Sequence, residues 1–398
     1  MPATVIHSVT LVSDGAATAD SWVRFDDGVV REIGSGGAWR DAAEAAGPGY
    51  EVVDGAGAIL SPGFIDIHVH GGGGAANEEG ADAIRTVLAT HRKHGTTRAV
   101  LSLVTGRPAD LLTHLATIAN LTETTPGVLG SHLEGPFLAD AFRGAHDPEM
   151  LRSPLPEETA AMLAAARGTL RQITLAPELP GASAAIADFV SAGVAVAVGH
   201  TSATYDEARA AFDAGASILT HTFNAMPGLH HRAPGPIAAA FEAEHVTLEV
   251  INDGVHVHPA LARLVFTEAP GRVALITDAM VAACAHDGDY MLGPLPVRVE
   301  AGVARLVADG AIAGSTLTLD VALRHTVTEC GVPLAAAILA LTATPAAAVG
   351  RAHDLGSLRP GYRADAVLLD DTLHVKRVWL EGASAEPHGS ASPAHQAG

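Results

Sequence analysis

Cysteine is nearly absent from this chain of 398 residues, in which only Cys284 and Cys330 occur. Two thiols build no disulfide framework, so the reducing cytoplasm is the expected compartment. Positive charge is also scarce. Lys and Arg total 24 against 44 Asp and Glu, a formal net charge of −20, which argues against a nucleic-acid partner because such a partner needs a basic face. A local cationic pocket for a small anion remains compatible with that balance. No apolar run reaches the length of a membrane span, and the opening residues MPATVIHSVTLVSDG have neither a basic segment nor a long apolar one, so no membrane partner is expected. What is present is globular: 48% hydrophobic and 17% charged residues, enough to bury a large core.

Short β-type runs separated by turn residues occupy the beginning of the chain, VIHSVTLV, SWVRF, VVREIG and EVVDGAGAIL, and the same texture returns in ADAVLLD and HVKRVWLEG between 356 and 382. Each end is too small to make its own core. Residues 1–61 and 353–382 are therefore expected to meet as one composite β-sandwich domain, with 383–398 a disordered tail. Between them, residues 62–352 alternate eight strand-like runs, beginning near 63, 96, 127, 171, 193, 216, 245 and 272, with Ala-rich helical stretches, several ending in Gly. The fold class is α/β. Eight such repeats are the arithmetic of a (β/α)8 TIM barrel, whose active site lies where the strands end.

The stretch GFIDIHVHGGGG, residues 63 to 74, delivers two imidazoles to a glycine loop. Side chains two apart on a strand share a face, so His68 and His70 form either a metal-ligand pair or two hydrogen-bonded histidines on a half-buried strand. The glycines are not followed by the Lys-Ser/Thr pair of a P-loop and are expected to leave space for a bound sugar. Other strand ends decide between the two readings of the histidines. His132 and Glu134 end the third run, His200 the fifth, His221 the sixth and Asp278 the eighth. A His and carboxylate set of that composition, converging on one barrel mouth, points to zinc or ferrous iron and to hydrolytic chemistry.

These motifs carry a resemblance over nearly the whole chain. PGFIDIHVHG, HLEGPF, GAHDP, GHT, THTFNAMPGLHHRAPG, NDGVHVHP, TDAM and AGSTLTLD are similar to the amidohydrolase superfamily and, within it, to the N-acetylglucosamine-6-phosphate deacetylases. PGFIDIHVHG points only to the superfamily; HLEGPF with GHT, HTFNAM and GSTLTL is more selective. The resemblance implies metal-dependent hydrolysis of the acetamide of N-acetyl-D-glucosamine 6-phosphate, with a metal-bound hydroxide as nucleophile. It implies one metal held by Glu134, His200 and His221, and a second held by His68 and His70 with Glu134 bridging. Asp278 is expected as proton shuttle and also as metal ligand. For the substrate it implies His146 at the sugar and its acetamide oxygen, and Asn224, Ala225, Arg232 and His256 around the phosphate. Arg232 is expected from a neighbouring subunit, hence a homodimer, and its guanidinium suits phosphate geometry.

Three other readings stand beside this one. The galactosamine 6-phosphate epimer differs at one hydroxyl, and nothing in the sequence separates the two sugars. A cyclic-amide hydrolase of the dihydroorotase type would require a bridging lysine on the fourth strand, and RQITLAPE has none. A non-catalytic scaffold on the same barrel would be expected to have lost ligands, whereas every expected ligand position is filled.

Overall fold

All eight runs expected between 63 and 280 are strands in the computed structural model, which describes residues 3–46 and 49–385. They are Phe64–Val69, Thr96–Leu103, Val128–Glu134, Leu170–Leu175, Ala195–Val198, Ile218–Leu219, Thr247–Ile251 and Val273–Ile276. Each pairs in parallel with its sequence neighbour, giving one eight-stranded sheet in chain order. Nearly every residue in them is buried, as expected when a parallel sheet has helices on its outer face and its own side chains inside. The sheet closes through a parallel bridge between Val69 and Ala279 and the hydrogen bond from Asp278 N–H to His68 O, 2.8 Å. At the other end of this seam the strands are held by different partners. Ile65 N–H and Leu275 N–H donate to the carbonyls of Leu341 and Ala340. The (β/α)8 barrel expected from the sequence is thus present.

Local sequence explains the helices around it. Ala81–Arg92 buries Ile84, Val87, Leu88 and His91, a spacing that makes one apolar stripe at 3.6 residues per turn. Tyr205–Asp213 opens on a capping box in which Thr204 and Glu207 satisfy each other's backbone N–H, a device worth about 1 kcal/mol. Two apolar layers result. Ile65, Ile67, Val100, Leu129, Ile218 and Ile251 pack together in one cluster, while a larger one joins the strands to the helices.

The two ends of the chain also come together. Thr4–Ser13, Ala16–Asp26, Val29–Ser35, Glu51–Asp54 and Ile59–Pro62 share one eight-stranded sheet with Ala366–Leu369, Val375–Leu380 and Ala383–Ala385. Ile59–Pro62 pairs antiparallel with Ala366–Leu369, and Thr4–Ser13 passes from Glu51–Asp54 at one end to Ile59–Pro62 at the other. Phe25, Leu60, Leu368 and Trp379 pack in its separate core. Arg98, on the second barrel strand, ties this sheet to the barrel by a two-pronged contact with Asp365 at 2.6 and 3.1 Å. One boundary moves. Ala383–Ala385 is a strand against Val378–Leu380 where the sequence reading began a disordered tail, and the rest of that tail, 386–398, lies outside the described residues.

An element not anticipated from the sequence follows the eighth strand. Gly288–Leu292, Leu295–Glu300 and Val303–Leu306 form an antiparallel three-stranded sheet before the eighth barrel helix, Leu319–Thr328. It stands over the barrel mouth, with Leu292 reaching the cavity described next.

Candidate metal centre and its cavity

Six side chains named from the sequence converge where the barrel strands end. Glu134 is the last residue of its strand, while His200, His221 and Asp278 each lie two residues beyond theirs and His70 one. His68 Nε2 is 3.2 Å from His70 Nε2, 3.3 Å from Glu134 Oε1 and 3.4 Å from Asp278 Oδ1. On the other side, His200 Nε2 and His221 Nε2 lie 3.1 and 3.2 Å from Glu134 Oε1 and 2.9 Å from each other. Two groups result, His68, His70, Glu134 and Asp278, and Glu134, His200 and His221, every member buried. Glu134 belongs to both.

The backbone is bent to make this possible. His200, His221 and Asp278 have φ of 47°, 26° and 49°, a left-handed region that costs non-glycine residues about 1–3 kcal/mol each. Main-chain hydrogen bonds hold them there. The carbonyl of His200 accepts from Ala139 N–H at 2.9 Å, that of His221 from Asn224 N–H at 2.9 Å, and that of Asp278 from Ser315 N–H at 2.7 Å.

Neighbouring groups choose the tautomers. His200 Nδ1–H donates to Phe142 O at 2.9 Å, and His68 Nδ1–H donates to Glu249 Oε2 at 3.1 Å. In each ring the Nε2 lone pair is thereby turned toward the shared carboxylate. Lone pairs of two imidazoles and a carboxylate aimed at one point repel unless a cation or a proton lies between them. Burial alone would raise the Glu134 carboxyl, yet with protons on the facing imidazole nitrogens His68 and hydrogen bonds from His146, His200 and His221 hold it well below the usual carboxylate range. Burial opposes charge on His70 too, but Asp278 and Glu134 lift it to about 9. Protons and metal ions compete for the same lone pairs, and a buried, anionic His and carboxylate set of this kind fits a divalent metal ion.

Glu249 was not found from the sequence. It is fully buried in the seventh strand, Thr247–Ile251, and it also accepts from Gln172 Nε2 at 2.7 Å and from His221 N–H at 3.3 Å. A lone carboxylate inside an apolar five-residue strand was the available signal. His132, by contrast, does not join the cluster. Its nitrogens are 2.9 Å from Ser102 Oγ and Thr174 Oγ1, burial and the nearby His68 hold its pKa well below normal, and its ring packs edge-on against His68.

The cluster opens into a cavity of about 360 Å³ whose walls include His146, Asn224, Ala225 and His256. Thr105 N–H points at His146 Nδ1, 3.4 Å away, which leaves the proton of a neutral ring on Nε2, 3.4 Å from Glu134. Burial pushes this histidine down to about 4, so at neutral pH it is an uncharged donor. His256 lies 2.7 Å from Asp253, which raises its pKa against the effect of burial. Arg232 is elsewhere. It is exposed, sits 2.6 Å from His231 Nε2 and lines a separate recess with Tyr205 and Pro227. Nor do the four glycines face the cavity. Gly71–Gly72 and Ala75–Ala76 form a hairpin, and a Cβ on Gly72 would lie 2.7 Å from His91 Nε2, one on Gly73 2.3 Å from Thr90 Oγ1. Close packing of Gly72 and Gly73 on the helix Ala81–Arg92, of Gly71 on the backbone of Ala75 and Val281, and a φ of 84° at Gly74, not space for a sugar, are what favour glycine there.

Comparison with known proteins shows what the chain resembles. The model of the amidohydrolase family matches residues 59–388. An N-acetylgalactosamine-6-phosphate deacetylase from Escherichia coli O157:H7 is 42% identical, covering 81% of this chain and 87% of its own length. An N-acetylglucosamine-6-phosphate deacetylase from Vibrio furnissii is 36% identical, over 81% and 82%. Among solved structures, a mutant N-acetyl-D-glucosamine-6-phosphate deacetylase from Mycobacterium smegmatis, in complex with N-acetyl-D-glucosamine-6-phosphate, superposes with a TM-score of 0.90 at 40% identity, covering 96% of this chain and 99% of that one.

Proposed function

The chain belongs to the amidohydrolase family, and from that premise we propose that it hydrolyses the acetamide of N-acetyl-D-glucosamine 6-phosphate to D-glucosamine 6-phosphate and acetate. The observation that carries this reading is Glu134, whose single carboxylate is shared by the two buried ligand groups on the cavity wall. Glu134, His200 and His221 would hold one divalent ion, zinc or iron. His68, His70 and Asp278, with Glu134, would hold a second. Such an ion, when bound, acidifies water and polarises a carbonyl oxygen.

The protein's own groups do the rest. His146, a neutral Nε2–H donor, hydrogen-bonds the acetamide oxygen and fixes the reacting carbon against Asp278. The Asp278 carboxylate, kept below its ordinary pKa by His68 and His70 against the effect of burial, takes a proton from the attacking water. It then returns that proton to the nitrogen of the breaking C–N bond, since an unprotonated amine is a very poor leaving group. His256, Asn224 and Ala225 hold the sugar phosphate. Arg232 completes the phosphate site from the partner subunit of a homodimer, giving a protein of net charge −20 the local cation its substrate needs. Both cysteines are free, which suits a reducing cytoplasm, and among the described residues no helix is long and apolar enough to cross a membrane.

Acetate release from N-acetyl-D-glucosamine 6-phosphate, measured together with metal content, tests this reading. Metal-free, inactive protein would support a non-catalytic barrel instead. The similarity to a galactosamine-epimer deacetylase favours one second reading, and the ratio of kcat/KM for the two N-acetylhexosamine 6-phosphates decides between them.

A further inference from the structure

Three side chains from distant segments meet on the surface away from the metal-ligand cluster. Cys284 lies in the loop after the eighth strand, His94 follows the helix Ala81–Arg92, and Asp320 is in the first turn of Leu319–Thr328. Cys284 Sγ is 3.3 Å from His94 Nε2, and His94 Nδ1 is 3.1 Å from Asp320 Oδ1. Asp320 is itself fixed, accepting from Thr318 Oγ1 at 2.6 Å and from Arg324 at 3.1 Å. The thiol is exposed, the His94 side chain is 34% exposed and the Asp320 side chain 7%, so a graded path runs from solvent to a buried carboxylate. Cys284 is also held with φ of 58°, a backbone that a non-glycine residue keeps only where its surroundings impose it.

From this arrangement we propose that Cys284, with His94 as its base and Asp320 as the orienting carboxylate, is a covalent modification site for small soft electrophiles. Asp320 accepts the Nδ1–H of His94, which leaves Nε2 to take the thiol proton. The thiolate then attacks an electrophilic carbon. With iodoacetamide the S–C bond forms, the C–I bond breaks, iodide departs and the proton stays on His94. Hydrogen bonds to Asp320 and then to Cys284 push His94 up to about 10 despite partial burial, which keeps the imidazolium beside the sulfur at neutral pH. Nothing in the deacetylation chemistry uses these residues. The adduct would sit on the segment whose Ala279 carbonyl accepts from His70 N–H at 2.9 Å, although reactivity of the thiol does not depend on that link.

The test is site-resolved alkylation of the full-length, metal-loaded protein by iodoacetamide at pH 7, read by mass spectrometry of the Cys284 peptide beside glutathione as reference. Cys284 is expected to react at least about tenfold faster than glutathione, and His94→Gln to remove that advantage. Asp320→Asn should lower the rate as well. Cys330 is buried against Asn252 and reports unfolding: a variant in which it stays unlabelled has kept its fold. Wild-type Cys284 reacting no faster than glutathione overturns the proposal without any variant, and so does a folded His94→Gln protein alkylated at the wild-type rate.

Discussion

His68 Nδ1 and Glu249 Oε2 lie 3.1 Å apart although the two residues are 181 positions apart in the chain. That contact fixes which nitrogen of His68 faces the cluster, and Gln172 donates to the other oxygen of the same carboxylate. An amide at 249 offers one acceptor oxygen and one donor NH2, so it cannot accept from both neighbours. Glu249→Gln is therefore expected to weaken the ion held through His68 and His70 by about 10–100-fold. The ion at Glu134, His200 and His221 should be retained. Metal content after dialysis against graded chelator separates the two, and a variant that keeps both ions as tightly as wild type refutes this role.

Asp278→Asn tests the proposed proton shuttle. The amide keeps the size and the backbone bonds of Asp278, whose N–H donates to His68 O and whose carbonyl accepts from Ser315 N–H, but it cannot carry the proton. The expected result is a fall in kcat of about 10²–10⁴-fold with metal still present at Glu134, His200 and His221. Turnover near wild type in the metal-bound variant would leave Asp278 without a catalytic role.

Stability should depend on pH through the His94 and Asp320 pair. Partnership with Asp320 raises His94 from 6.5 to about 10, so its contribution is fully present below 6.5 and fades as pH rises through 10. Burial alone would raise Asp320, but His94, Thr318 and Arg324 together lower it from 3.8 to about 2, so its contribution is present above 3.8 and fades as pH falls through 2. The difference in Tm between wild type and His94→Gln is accordingly largest between pH 4 and 6.5 and smallest at the two extremes. A difference that is constant from pH 4 to 10 would show that the pair adds no electrostatic stability.

The barrel and the six cluster residues were legible because they sit at the ends of regular repeats. Each apolar run announced a strand, and the polar residue after it announced the mouth. Glu249 was hidden by the same regularity, since TLEVI reads as one more apolar strand and its meaning depends on His68, far away in sequence. The glycines at 71–74 misled for a related reason. Composition says only that side chains are missing, whereas the causes are the approach of Thr90 and His91 to Gly72 and Gly73, of the Ala75 and Val281 backbone to Gly71, and the positive φ of Gly74. The three-stranded sheet at 288–306 does alternate in exposure, most clearly along Leu295–Glu300, but its place over the mouth is a tertiary fact. Cys284, His94 and Asp320 are likewise unrelated by any local pattern.

The role proposed for Arg232 depends on a second chain. It lines a surface recess with Tyr205 and Pro227, whereas His256 and Asn224 line the cavity beside the cluster, so phosphate recognition by Arg232 is expected to occur in a neighbour's cavity. Arg232→Ala should raise KM for the phosphorylated sugar by about 10–100-fold, the scale of a lost charge-assisted phosphate contact, and leave KM for N-acetylglucosamine nearly unchanged. Complementation makes the test independent of substrate. In a mixed dimer of an Arg232→Ala chain with an Asp278→Asn chain, one of the two shared sites has both an intact Asp278 and an intact Arg232. Random reassociation of equal amounts makes about half of all dimers mixed, so about one quarter of all sites are restored. Activity at low substrate should then rise well above that of either variant alone. If mixing restores nothing although the mixed dimer forms, Arg232 does not act across the interface.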